Sequence, residues 1–286
     1  MKVLVIGSEG QLGSELKKNS KSFNKISWVF SIINDLDLSN LNSINSYLNK
    51  VNPYVIINCA AYTDVDKAET ESELLDIINF KAIDVISRWT SGKNKKLIHV
   101  STDYVFDGLS KIPLSENSFT NPINKYGLSK LKGEQACLNN DSNSIVIRTS
   151  WLYSSFGKNF VKTMIDLMKN NNSVKVVNDQ FGSPTYANDL AKVILEIIVN
   201  HKSVSGLFHY SNEGEISWFE FAKSIKELYN LDCEVIGVSS KEFKTIANRP
   251  HYSLLNKSKI KKTFNLEIPN YKKSLKDCIE IIKNET

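Results

Sequence analysis

Short apolar runs alternate with stretches of helical period along the first half of the chain, and this alternation constrains the fold more than any other feature. It is the pattern of repeated strand-helix-strand units around a parallel sheet. Strands are expected at 2–6, 26–31, 54–58, 97–100 and 145–149, with helices near 11–18, 41–50, 65–91 and 126–138. Pro53 suits the entrance of the third strand, because proline cannot donate to a ladder in mid-strand. From Trp151 onward the pattern is less regular, with helices near 160–169, 187–199 and 217–229 and strands at 173–177 and 206–210. The segments 178–186 and 245–254 hold Gly182, Pro184 and Pro250, as ordered ligand-wrapping loops do.

At 286 residues the chain has room for one core domain and a smaller companion. No apolar run approaches the roughly 20 residues needed to cross a bilayer, so a soluble protein is expected, with no membrane partner. The first strand begins at Lys2, which leaves no room for a secretory leader, and the cytoplasm is the expected location. Cys59, Cys137, Cys233 and Cys278 form no C-x-x-C pair and are expected to be reduced. His99, His201, His209 and His251 show no metal-ligand spacing and read as strand-end or surface histidines. The net charge of +5 is spread along the chain without aromatic clustering, so no nucleic-acid partner is expected. The run 257–262 reads as a solvated helix face.

Three fragments carry chemistry. Gly7, Gly10 and Gly13 follow the first strand and open a helix, so a dinucleotide diphosphate can approach the backbone at a helix start. Thr102 lies just past the fourth strand. Tyr126 and Lys130, four residues apart, share one helix face. A chain this rich in tyrosine and lysine yields a Y-x-x-x-K match by chance, so the order of the three fragments, each at a strand's carboxyl end, is the argument. An ammonium near a phenol favours phenolate and brings proton exchange toward neutral pH, while a threonine hydroxyl can hold a carbonyl oxygen. Asn58 to Tyr62, with small residues at Ala60 and Ala61, can run close to a cofactor ribose or nicotinamide. No acid occupies residues 30–33, where one that reads a ribose is expected; Asp37-Leu38 is assigned to the adenine, and NAD and NADP both stay open.

These residues resemble the extended short-chain dehydrogenase/reductases. The strings 60–69, 101–108, 148–151, 157–164 and 179–185, with Arg249-Pro250, are similar to the dTDP-4-dehydrorhamnose reductase family from end to end. The resemblance implies a Rossmann-type doubly wound parallel sheet over 1–150 and roughly 185–205, with a smaller C-terminal α/β substrate-binding domain from roughly 151–184 and 206–286. It implies reduction of the C4 ketone of a dTDP-sugar substrate by NADPH or NADH, with Thr102, Tyr126 and Lys130 catalytic. Gly7, Gly10, Gln11, Leu12, Gly13, Asp37, Leu38, Ala60, Ala61 and Tyr62, with Tyr126 and Lys130, match cofactor positions, while Thr102, Asp103 and Trp151 match substrate positions. Arg249 is expected on the substrate diphosphate, since a guanidinium forks onto phosphate oxygens.

Tyr104 stands where dehydratases of the superfamily carry a glutamate, which argues against dehydration. Some relatives bind Mg2+ at a dimer contact; Glu15 matches one acidic position there and Asp189 loosely a second, so Mg2+ and a homodimer are carried as weaker expectations. Two rival readings stay open: a non-catalytic dinucleotide-binding regulatory subunit of the methionine adenosyltransferase type, and a reductase of a related 4-keto-6-deoxy sugar nucleotide.

Overall fold

The computed structural model describes residues 1–285. Its first half runs β1 (Lys2–Ile6), α1 (Gln11–Ser20), β2 (Ser27–Ser31), α2 (Leu41–Val51), β3 (Val55–Asn58), α3 (Ser72–Asp76), α4 (Ala82–Thr90), β4 (Lys96–Thr102), α5 (Lys125–Asn140) and β5 (Ile145–Thr149). The second half continues with β6 (Leu152–Tyr153), α6 (Phe160–Asn170), β7 (Ser173–Val177), β8 (Phe181–Gly182), β9 (Thr185–Tyr186), α7 (Ala187–Asn200) and β10 (Gly206–His209). It ends with β11 (Ile216–Ser217), α8 (Trp218–Tyr229), β12 (Glu234–Val238), α9 (Ser258–Phe264) and α10 (Tyr271–Glu285).

Six strands form one wholly parallel sheet in the order β10-β5-β4-β3-β1-β2. A parallel sheet needs cover on both faces, and the strand sequences meet that need by alternation. Val3 and Val5 face α1 and α7, where Leu12, Leu16, Leu190 and Ile194 pack. Leu4 and Ile6 face the other way, against Ile44 and Leu48 of α2 and Ile83 and Ile86 of α4. The chain winds outward from β1 to β2 on one side and from β3 through β5 on the other, so the carboxyl ends of β1 and β3 flank a topological switch point.

A second core forms where α8 packs on the β7–β12 pair with α6 and α10 against α8, around Val161, Phe221, Ile225, Leu275 and Ile279. The strand expected at 206–210 in this smaller unit is instead β10, the sixth strand of the large sheet, and Ile260, Phe264 and Ile268 also pack in the large sheet's core. The helix expected over 65–91 is broken into a 3-10 turn at Lys67–Glu69, α3, a π-turn at Ile77–Lys81 and α4. The run at 257–262 is largely the solvated face of α9, with Lys259, Lys261 and Lys262 exposed, while Lys257 before the helix is buried and pairs with Glu213 at 3.2 Å. His99 and His209 lie fully inside the sheet, not at the surface.

Ile194→Ala, which would empty a fully buried site between α7 and the sheet, is expected to cost about 2–5 kcal/mol, read as a lower urea midpoint at unchanged slope.

Candidate active site

At the switch point the backbone of the β1–α1 turn lies against the strand end of β3. Gly7 has φ +76°, and a Cβ there would stand 2.8 Å from the Ala60 nitrogen. A Cβ on Gly13 would collide with the Gly7 carbonyl, so this glycine lets α1 seat on the turn. Gly10 is the N-cap of α1 and supplies no side-chain cap, which leaves the first-turn N–H groups without a capping acceptor. Gly10, Gln11 and Leu12 line a cavity of about 720 Å³. Open N–H groups and the positive end of a helix dipole suit an anion such as a diphosphate.

The same cavity is lined by Ala60, Ala61, Thr102, Asp103, Tyr126, Lys130 and Trp151, so the three fragments singled out in the sequence converge. Asn124 caps α5, accepting from the Gly127 N–H at 2.7 Å and donating to the Asn248 carbonyl at 2.8 Å, which sets the start of the helix that presents Tyr126. The Thr102 hydroxyl donates to Asp103 Oδ1 at 3.1 Å and accepts from the Tyr104 N–H at 3.2 Å. Tyr104 meets Tyr126 edge-on, with ring centroids 5.8 Å apart. Burial pushes the Tyr126 phenol well above its ordinary value, with the Thr102 hydroxyl pulling the other way. Burial also pushes Asp103 up to about 6.

The Lys130 ammonium is engaged on β4. Its Nζ donates to the Val100 carbonyl at 2.7 Å and lies 3.4 Å from His99 Nε2. Burial brings Lys130 down to about 8, opposed first by Glu134.

Five other expected site residues lie outside the cavity lining. Asp37 is exposed and accepts from the Ser39 N–H at 2.8 Å, while Leu38 is buried in the core beneath α2; Ile32 and Ile33 line the cavity at the end of β2 instead. Tyr62 turns away, its hydroxyl donating to Glu71 Oε2 at 2.6 Å. Arg249 is held by Asp66, with Nη2 to Oδ2 at 2.8 Å, outside the cavity lining. Gly13 serves packing, not lining.

Several functional candidates went unread in the sequence. Trp218 stacks on Trp151 at 3.7 Å between centroids, and both indoles line the cavity. Trp151 itself has φ +48°, a left-handed conformation that a bulky residue adopts only when its surroundings hold it there. The π-turn carries Asn79, whose side chain ties the Tyr62 backbone to Ser129 of α5 by bonds of 2.9 and 3.0 Å. Lys158 reaches the cavity from the loop before α6. Spacing gave no signal for Trp218 or Asn79, since their partners are far away in sequence.

The metal expectation finds no geometry. Glu15 is fully buried and accepts from Ser154 at 2.7 Å, and Asp189 accepts from Asn212 at 2.8 Å and from Ser274. Among the described residues no cluster of three or more His, Cys, Asp or Glu could hold a metal ion. No helix among them is long and apolar enough to cross a membrane.

A parallel sheet with a glycine turn at its switch point, and threonine, tyrosine and lysine above the same crevice, defines an extended short-chain dehydrogenase/reductase, a nicotinamide-dependent oxidoreductase class. Within that class the chain belongs to the RmlD substrate binding domain family, whose profile matches residues 1–284. The dTDP-4-dehydrorhamnose reductase of Aggregatibacter actinomycetemcomitans is 35% identical, over 96% of this chain and 97% of its own. A dTDP-4-dehydrorhamnose reductase structure from Clostridium acetobutylicum is 38% identical with a TM-score of 0.95, covering 99% of this chain and 100% of that one. That of Bacillus anthracis, in complex with NADP, is also 38% identical, with a TM-score of 0.93 over 100% of this chain and 99% of that one.

Gly7→Ala puts a Cβ into the Ala60 backbone at a positive φ and is expected to weaken NADPH and NADH binding at least about tenfold, at a cost of about 1–3 kcal/mol in stability. Equilibrium dialysis and thermal melting read the two effects.

Proposed function

We propose that this chain reduces dTDP-4-dehydro-L-rhamnose at C4 to dTDP-L-rhamnose, using a reduced nicotinamide dinucleotide. The observation that carries the reading is the convergence of the glycine turn with Thr102, Tyr126 and Lys130 on one cavity. The names of full-length relatives more than 30% identical to this chain supply the sugar.

The residues present fit the dinucleotide. The uncapped start of α1 at Gly10, Gln11 and Leu12 holds the diphosphate, Ala60 and Ala61 admit a ribose without obstruction, and Lys130 can reach the nicotinamide ribose once it leaves the Val100 carbonyl. A reduced nicotinamide held by these residues would supply the hydride for the carbonyl carbon. Tyr126 donates its proton to the C4 oxygen; burial keeps the phenol protonated at neutral pH, so the donor is loaded before the sugar arrives. Once its single proton swings away from Asp103 Oδ1, the Thr102 hydroxyl can donate to the same oxygen and orient the carbonyl. The Lys130 ammonium stabilises the phenolate left behind, for which an opposite charge in a dry site is worth far more than in water. Asp103 accepts from sugar hydroxyls, and the Trp151–Trp218 stack forms an apolar wall beside the sugar. Arg249, anchored to Asp66 through Nη2, keeps further N–H donors with which to meet a substrate diphosphate. Ile32 and Ile33 at the end of β2 bring neither an acid for a ribose nor a cation for its phosphate, so both NADH and NADPH are taken as donors.

Purified protein given dTDP-4-dehydro-L-rhamnose and NADPH or NADH is expected to deplete the cofactor's near-ultraviolet absorbance and to yield dTDP-L-rhamnose by NMR. Cofactor binding with no depletion would instead favour a non-catalytic subunit, and a 6-deoxy-talose product would favour the related keto-sugar reductase. Tyr126→Phe is expected to keep cofactor affinity and lose about 10²-fold or more in turnover. Wild-type turnover in that variant would remove Tyr126 from the proton-transfer step.

A further inference from the structure

Behind the catalytic groups lies a buried charged pair that the proposed reaction leaves unused. Tyr126, Lys130 and Glu134 stand at four-residue spacing along one face of α5. The Glu134 carboxylate, only 2% exposed, receives the fork of Arg148 from β5, with Nε to Oε1 at 2.9 Å and Nη2 to Oε2 at 2.7 Å. The Ser101 hydroxyl on β4, next to Thr102, donates to the same Oε1. Arg148 is in turn held over the Phe106 ring at 5.1 Å and lies 3.4 Å from His209 Nε2. Both carboxylate oxygens are thus pinned to the two strands under the catalytic helix.

Stability is a weak reason for such a pair. Desolvating two charges costs several kcal/mol per ion, and apolar residues of the same volume are often as stable or more so. The surroundings of Lys130 supply a better reason. The ionisable groups around it are Tyr126, Cys137 and Glu134 on α5, His99 on β4 and Cys59 beyond β3, with Arg148 behind Glu134 on β5. Burial holds His99 well below its ordinary value and pushes both thiols up to about 12, so all three are uncharged at neutral pH. Among the described residues around Lys130, Glu134 is the anion that opposes the loss of its charge.

The geometry points to Glu134 as a positioning residue. Clamped by Arg148 and Ser101, it sets the height of α5 on the sheet, and its carboxylate holds Lys130 in the ammonium form that the Tyr126 step requires. This rests on the reductase reading above. The required ammonium is complete below the Lys130 pKa and is lost as pH rises through it, so kcat/KM of the wild type falls on an alkaline limb near 8.

Three variants test the role: Glu134→Gln, Glu134→Asp, and Glu134→Gln with Arg148→Met, the last removing the guanidinium that glutamine alone would leave buried and unpaired. In the double variant the alkaline limb is expected to move down by about half a pH unit, since the guanidinium lost with the carboxylate had partly opposed it, and further in Glu134→Gln, which keeps that guanidinium; kcat at pH 8 falls with KM for the sugar nucleotide near wild type. Glu134→Asp, which keeps the anion, is expected to return the limb toward its original position. A folded double variant whose melting temperature drops while its limb stays in place would overturn the assignment and leave the pair a structural one. The pH dependence of NADH affinity, followed by quenching of tryptophan fluorescence, reads the same ammonium without turnover. If the wild type reduces no keto sugar, the reductase reading fails separately, and an NADH-binding limb that does not move in the double variant still overturns the role of Glu134.

Discussion

The approach of Gly7 to Ala60 is the contact on which the site depends. β1 and β3 are neighbours in the sheet, and the chain leaves them in opposite directions, so a crevice opens where their carboxyl ends meet. The crevice is usable only if the β1–α1 turn folds down tightly, and any side chain at Gly7 would strike the Ala60 backbone. Gly13 repeats the demand one turn later, where the helix presses onto the turn itself. With both glycines in place, a helix start with open N–H groups and a strand end of small residues face the same space. A buried core on both faces of the sheet keeps that geometry from relaxing.

Burial then decides the chemistry of what faces the crevice. The groups on α5 are withdrawn from water between the sheet and the π-turn, where a Cβ on Gly133 would collide with the Asn79 carbonyl. Desolvation acts on the phenol and the ammonium in opposite senses, raising Tyr126 and lowering Lys130, so each is moved toward its uncharged form. A proton donor gains from that environment, whereas a cation needs an anion close by to survive it. The Glu134–Arg148–Ser101 clamp places one there and ties it to the strand that ends in Thr102. Positioning and charge are thereby joined in one set of contacts.

Much of this was legible in the residues. The five N-terminal strands were read within a residue or two, because unbroken apolar runs leave little choice between a covered strand and anything else. Gly7, Thr102, Tyr126 and Lys130 were read as one site because each follows a strand end, and parallel sheets bind ligands there. The misses have physical causes. The 65–91 segment has helical period throughout, yet the need for Asn79 to reach both Tyr62 and Ser129 goes with a π-turn that periodicity does not show. Asp37-Leu38 looked like an adenine cradle, but Leu38 is drawn into the core under α2 and Ile33 takes the exposed place. Arg249 looked free for phosphate, while its nearest anion, Asp66, lies far away in sequence.

By itself the sequence determined what is local: the strand-helix alternation, the glycine turn, and the helix face that carries Tyr126, Lys130 and Glu134 together. These follow from backbone sterics and from a period of 3.6 residues, which neighbours along the chain settle among themselves. Tertiary structure alone decided which charges meet. Arg148 reaches Glu134 because β5 lies beside β4 beneath α5, and Trp218 reaches Trp151 because β11, which leads into α8, pairs with β8, whose Gly182 lies against the Trp151 indole. Electrostatic and stacking contacts act over a few ångströms of space whatever the number of residues between the partners, and a linear sequence does not record that distance.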